Sequence, residues 1–108
     1  MAWKLFLDDE RDPVGNRWTV CRSVGEAVAV CQVFKLPAYI SFDHDLGPGP
    51  SPGGFENTGM GFAKWMIEQV LDDTMQLPTG FDYYVHSQNP VGADNIRNIM
   101  QRFTNRNG

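Results

Sequence analysis

Short apolar runs alternate with helical stripes along the chain. Trp3 to Leu7 is an apolar run closed by acids and reads as a strand ending at Asp8; Trp18 to Cys21 reads as a second. Ser23-Val24-Gly25-Glu26 then matches a capping box, with serine at the N-cap and glutamate three residues on. Behind it Val24, Ala27, Val28, Cys31 and Phe34 recur at helical spacing, and Pro37 stops that helix. Ala38 to Phe42 is the third strand. From Gly47 to Thr58 the chain is rich in glycine and proline and has no hydrophobic period. A loop of this length in a small domain serves as a lid, a binding loop or a disordered segment.

A second stripe follows, made by Ala63, Met66, Ile67, Val70 and Leu71, with Lys64, Glu68, Asp72 and Asp73 on the water side. Leu77-Pro78-Thr79-Gly80 is a turn, and Phe81 to Val85 is a fourth strand ending at His86-Ser87. Asn89-Pro90 has the form of an N-cap followed by proline at the first helical position. Ala93, Ile96, Ile99, Met100 and Phe103 form the stripe of a last helix, with Thr104 to Gly108 expected to fray. Trp3, Trp18 and Trp65 read as core.

Strands alternating with helices predict an α/β fold: a small, open, three-layer, mostly parallel sheet of about four strands and three helices. The connection from Asp9 to Arg17 is short for a helical crossover, which needs about a dozen residues, so the pairing of the first two strands stays open.

Composition narrows the class. With 108 residues the chain is expected to form one domain. At 42% hydrophobic and 20% charged residues it can build a core rather than remain disordered. The net charge of -4 argues against an extended nucleic-acid surface, but not against a small nucleotide or an RNA end held in a pocket. Cys21 and Cys31 fall in apolar patterns without metal-ligand spacing and read as buried free thiols, which suits a reducing, cytoplasmic setting. No run approaches the roughly 20 apolar residues of a membrane span.

The unusual residues collect at strand ends. Asp8-Asp9-Glu10-Arg11 follows the first strand, Asp43-His44-Asp45 the third and His86-Ser87-Gln88-Asn89 the fourth. In open α/β sheets, ligands bind beyond the carboxyl ends of strands, so these clusters converge along one edge. Asp8, Asp9 and Asp43 in one crevice would repel unless one is protonated or a cation binds, and hard oxygens suit Mg²⁺ or Mn²⁺. Alone, Asp8 and Asp9 read more readily as loop caps pairing with Arg11, and Asp43 at the next strand end is what brings the metal reading level. His44 and His86 are candidate general acid and base, with Asp45 or Asp43 to orient an imidazole; the alternative is a structural histidine at a strand end. Ser87 is a candidate phosphate contact or, less readily, a nucleophile, since no nucleophile elbow surrounds it. Arg11, Asn89 and Gly92 are candidate phosphate-binding residues, Arg11 as a clamp and the other two at a helix N-terminus that attracts anions. Asn89 doubles as a cap, and a surface ion pair is the other reading of Arg11.

Leu7-Asp8-Asp9-Glu10-Arg11-Asp12-Pro13, Ser41-Phe42-Asp43-His44-Asp45-Leu46-Gly47 and Val85-His86-Ser87-Gln88-Asn89-Pro90-Val91-Gly92-Ala93 together resemble the cyclic-phosphate processing receiver-like domain, an offshoot of the response-regulator receiver fold. The resemblance covers nearly the whole chain. It implies a flavodoxin-like parallel sheet with an acidic pocket at its carboxyl edge. It also implies that Asp8 and Asp9 match the receiver's metal-binding pair, Asp43 its phosphoacceptor and Ser87 its hydroxyl residue. The activity it implies is on cyclic phosphates of nucleotides or RNA termini. No lysine falls at a strand end, where a signalling receiver would need one, and one strand–helix unit is missing. The resulting expectation is a metal-dependent phosphoesterase acting on a nucleotide or RNA terminus bearing a cyclic phosphate. A non-catalytic phosphate-binding module and a receiver-like phosphoacceptor switch are the alternatives.

Overall fold

The computed structural model describes residues 2–15, 17–47 and 54–107. In chain order the elements are β1 (Lys4–Leu7), β2 (Trp18–Cys21), α1 (Val24–Phe34), β3 (Tyr39–Phe42), α2 (Gly59–Leu71), β4 (Asp82–Val85) and α3 (Pro90–Asn107). The strands form one parallel sheet in the order β2-β1-β3-β4. The first two strands do pair, parallel, with Lys4 opposite Trp18 and Leu7 opposite Cys21.

The helices start where side chains cap them. Ser23 accepts the Glu26 amide at 3.1 Å, while Glu26 reaches back to the Arg22 amide at 2.7 Å. Thr58 accepts the Gly61 amide at 3.0 Å at the head of α2. Lys35, at φ 69°, turns the chain out of α1.

Side chains alternate across a sheet. Leu5, Leu7, Cys21, Ile40, Phe42 and Val85 point to one face and are buried. They share a single core cluster with Val24, Ala27 and Cys31 of α1, Phe62 and Met66 of α2, and Ile96 and Met100 of α3. All three helices therefore pack on that face. The other face carries Phe6, Trp18, Val20, Tyr39, Ser41 and Tyr84, and none of these belongs to the buried core cluster.

Connection geometry explains this one-sidedness. The crossovers from β2 to β3 and from β3 to β4 step the same way across the sheet, so right-handed connections put α1 and α2 on the same face. Stepping from β1 to β2 reverses direction, and a right-handed helix there would cover the opposite face. The 8–17 connection contains no helix among its described residues. The α/β class, the parallel sheet and the element count are as the sequence predicts. The layers are two among the described residues rather than three.

Several finer expectations are corrected. Phe34 and Leu71, each the last residue of its helix, are 65% and 59% exposed rather than core, because the stripe there turns past the sheet. Trp18 is only half-buried on the uncovered face, beneath the Lys4 ammonium at 4.5 Å from its ring centroid. The last helix continues to Asn107 instead of fraying from Thr104, whose hydroxyl donates to Met100 O at 2.9 Å. Half of the loop expected to serve as a lid, a binding loop or a disordered segment, residues 48–53, lies outside the described residues. Among the described residues no helix is long and apolar enough to cross a membrane.

Candidate functional site

The parallel ladder runs one residue beyond three strands. Asp8 donates its amide to Cys21 O at 3.1 Å, Asp43 to Leu7 O at 2.8 Å and His86 to Phe42 O at 2.9 Å. These bonds bring Asp8, Asp43 and His86 side by side to the carboxyl edge of the sheet. One oxygen from each of Asp8, Asp9 and Asp43 lies within 4.8 Å of the others, with Asp8 and Asp43 buried and Asp9 half-buried. This acidic cluster could bind a metal ion.

Burial alone would raise the Asp8 pKa. The backbone amides of Arg11 and Glu10, each 2.9 Å from Oδ1, and the His86 imidazole at Oδ2 outweigh it and hold the carboxyl below its ordinary value. Asp8 is therefore a buried carboxylate whose two oxygens both accept hydrogen bonds. His86 meets it through Nε2 at 2.9 Å and meets the Ser41 hydroxyl through Nδ1 at 2.7 Å. The His86 ring lies flat on Phe6, with centroids 4.6 Å apart and planes 6° from parallel. Asp43 accepts the His44 amide on Oδ1 at 2.8 Å.

A second polar chain borders this cluster. His44 Nδ1 is 2.8 Å from Asp45 Oδ1, and Asn89 Nδ2 reaches both oxygens of Asp45, at 3.3 and 3.4 Å. The His44 hydrogen bond, against a smaller opposing effect of burial and with help from Asn89, holds the Asp45 carboxyl below its usual value. Asn89 also caps α3, accepting the Gly92 amide at 3.0 Å. Its own amide donates to Ser87 Oγ at 3.1 Å, which leaves the Ser87 hydroxyl hydrogen to donate elsewhere. Gly92 is required at its position. A Cβ there would fall 2.4 Å from His44 Cγ, so the imidazole rests directly on the first turn of α3. Gly59 plays the same part for α2, where a Cβ would come within 2.1 Å of Asp43 O.

Asp9, Glu10, Arg11, Asp43, Asp45, Gly47, Ser87, Gln88 and Asn89 line an open cleft of about 400 Å³. Arg11 stands at its rim, donating from Nη1 to His86 O at 3.2 Å, with Nε 3.9 Å from Asp8 Oδ2. A family model described as the cyclic-phosphate processing receiver domain matches residues 3–102. The chain belongs to this family. Neither the curated proteins nor the solved structures gave a match.

In this receiver domain the residues singled out from sequence fall into two groups. Asp9, Asp43, Asp45, Arg11, Ser87 and Asn89 line the cleft, with Asp8 beneath in contact with the acidic cluster. The two imidazoles and Gly92 stand behind it. His86 has both ring nitrogens engaged in the interior, and His44 is wedged between Asp45 and Gly92. The Gly92 amide, expected to be free for an anion, is taken by its own cap.

Sequence reasoning missed the residues that brace the site. Arg22 holds the acidic loop, donating from Nη1 to Asp8 O at 3.2 Å and to Arg11 O, and from Nη2 to Asp12. Asn57 ties two segments together, accepting the Val24 amide at 2.9 Å and donating to Gly47 O at 3.0 Å. Neither carries a motif. Ser41 did carry a signal, as a hydroxyl in the third strand's otherwise apolar run.

Proposed function

We propose that the cleft binds a cyclic phosphodiester, on a nucleotide or an RNA terminus, and opens it to a phosphomonoester. The observation that carries this reading is the convergence of three carboxylates with Ser87 and Arg11 at one cleft on the carboxyl edge. Family membership adds the link to cyclic phosphates. The volume of the cleft falls in the range of small-molecule sites.

The donor set fits a hard divalent cation. It offers only carboxylate oxygens, the Asp8 carboxyl is held below its ordinary value, and no lysine among the described residues lines the cleft. Asp8, Asp9 and Asp43 would hold Mg²⁺ or Mn²⁺, which supplies polarisation of a phosphoryl oxygen when bound. The chain's own residues do the rest. Arg11 and the Ser87 hydroxyl donate to non-bridging phosphate oxygens and stabilise the charge that grows there. Asp45, backed by His44, takes a proton from the attacking water. As the water oxygen bonds to phosphorus, one ring P–O bond breaks, and the proton passes to the released ring oxygen, which becomes a hydroxyl. His86 orients Asp8 rather than meeting the phosphate.

The test is a product assay with 2′,3′-cyclic nucleotides, RNA ending in a cyclic phosphate and 3′,5′-cyclic nucleotides, each with Mg²⁺, Mn²⁺ or chelator. Ring opening that disappears in Asp43→Asn is the expected result. The absence of turnover with every substrate and ion would overturn it. A non-catalytic module that captures the same ligand is the second reading, favoured by one observation: neither imidazole lines the cleft. Calorimetric binding without product would select it.

A further inference from the structure

We propose that Ser41 is a positioning residue for the metal-binding carboxylate of Asp8, acting through His86. The inference rests on the acidic cluster being a metal site, as read above, and adds a residue that lies outside the cleft.

Ser41 sits in the middle of β3, where its neighbours Ile40 and Phe42 are core. Alternation puts its side chain on the opposite face, in register with Phe6 on one side and Tyr84 on the other. The side chain is 5% exposed, and its hydroxyl meets His86 Nδ1 at 2.7 Å. A buried hydroxyl in a strand centre has to be satisfied, and this bond satisfies it.

The contacts are read through the neutral Nε2–H tautomer of His86, in which Nε2–H donates across the 2.9 Å contact and Asp8 Oδ2 accepts. In a neutral imidazole Nδ1 is then the acceptor, and the Ser41 O–H donates to it. Stacking on Phe6 fixes the ring plane. Ser41 thus sets the tautomer, Phe6 sets the tilt, and the Nε2–H aims Asp8 Oδ2. The Asp8 Oδ1 atom is pinned by the Glu10 and Arg11 amides. Hydrogen-bond partners beyond a ligand orient it and raise its affinity for metal, and losing one typically costs about 10–100-fold in binding.

The experiment compares wild type, Ser41→Ala and Ser41→Thr by Mn²⁺ titration calorimetry and by ¹⁵N NMR of the His86 ring, with circular dichroism to establish folding. Ser41→Ala is expected to weaken Mn²⁺ binding by roughly 10–100-fold and to shift the ring nitrogens away from the pure Nε2–H tautomer. Ser41→Thr, which keeps the hydroxyl, is expected to restore both. Wild-type Mn²⁺ affinity and an unchanged tautomer in Ser41→Ala would overturn the inference, even if cyclic-phosphate opening were observed. Weakened Mn²⁺ binding in a protein that opens no cyclic phosphate would uphold it and remove the functional reading instead.

Discussion

When Gly92 is replaced by alanine, two effects of opposite sign compete. Position 92 lies in the first turn of α3, and alanine is worth about 0.5–1 kcal/mol more than glycine in a helix. Against this, the new Cβ would stand 2.4 Å from His44 Cγ, 2.6 Å from Cδ2 and 2.8 Å from Nδ1. Those are ring atoms close to the backbone, so the whole imidazole must leave. Overpacking of this kind typically costs about 1–3 kcal/mol. The displaced ring also gives up its contact with Asp45, an exposed pair worth well under 1 kcal/mol. The balance is a net loss of about 1–2 kcal/mol, or a melting temperature roughly 4–8 °C lower for a domain near 100 residues. Differential scanning calorimetry measures it directly. The same substitution made on a His44→Ala background has no ring to displace. There the helix term should reappear as a gain of about 0.5–1 kcal/mol, and the cycle isolates the clash. A Gly92→Ala protein that melts at or above wild type would refute the reasoning.

Other outcomes follow from the same geometry. Asp8 is held below its ordinary value of 3.8, so the unfolded chain takes up the proton first as pH falls. Its contribution to stability is complete above that ordinary value and is lost as pH drops through the lowered one. Melting curves from pH 7 to pH 3 in chelator should show an acid-side fall that is shallower in Asp8→Asn; equal slopes would contradict the assignment. Burial pushes the Cys21 thiol up to about 11 and the Cys31 thiol up to about 12. Native protein at pH 8 should therefore resist a thiol reagent that labels both cysteines in denaturant, and rapid native labelling would show that the core opens. Asn57→Ala leaves the Val24 amide unpaired and frees Gly47 O, at a cost of about 1–3 kcal/mol. An unchanged urea midpoint would mean that water replaces both bonds.

Much of the fold could be read from local pattern. The strands β1, β3 and β4 end where charge interrupts an apolar run, and Ser23 and Asn89 cap the helices their motifs announce. The acidic cluster was legible because parallel strands end at one edge, so the motifs after β1 and β3 had to converge. The number of layers was not, since it depends on the hand of each connection and on the absence of a helix among the described residues between β1 and β2. The roles of the histidines were equally hidden. His86 looked like an acid–base group because of its type and its place at a strand end. Whether its nitrogens face the cleft or the interior depends on Ser41 and Phe6, which lie on other strands. Gly92 looked like a free amide because nothing in its surroundings reveals that an imidazole occupies the space of its missing side chain.

The place of β1 has a consequence for how the molecule assembles. β1, which precedes the other three strands in sequence, is hydrogen-bonded on both sides, to β2 and to β3, and the sheet contains no hairpin among the described residues. Every pairing in it spans a crossover or loop, a topology that folds more slowly than one built on local contacts. The contact between Asp8 and His86 joins positions 78 residues apart in the chain. Asp8 therefore lacks its imidazole brace until β4 docks beside β3.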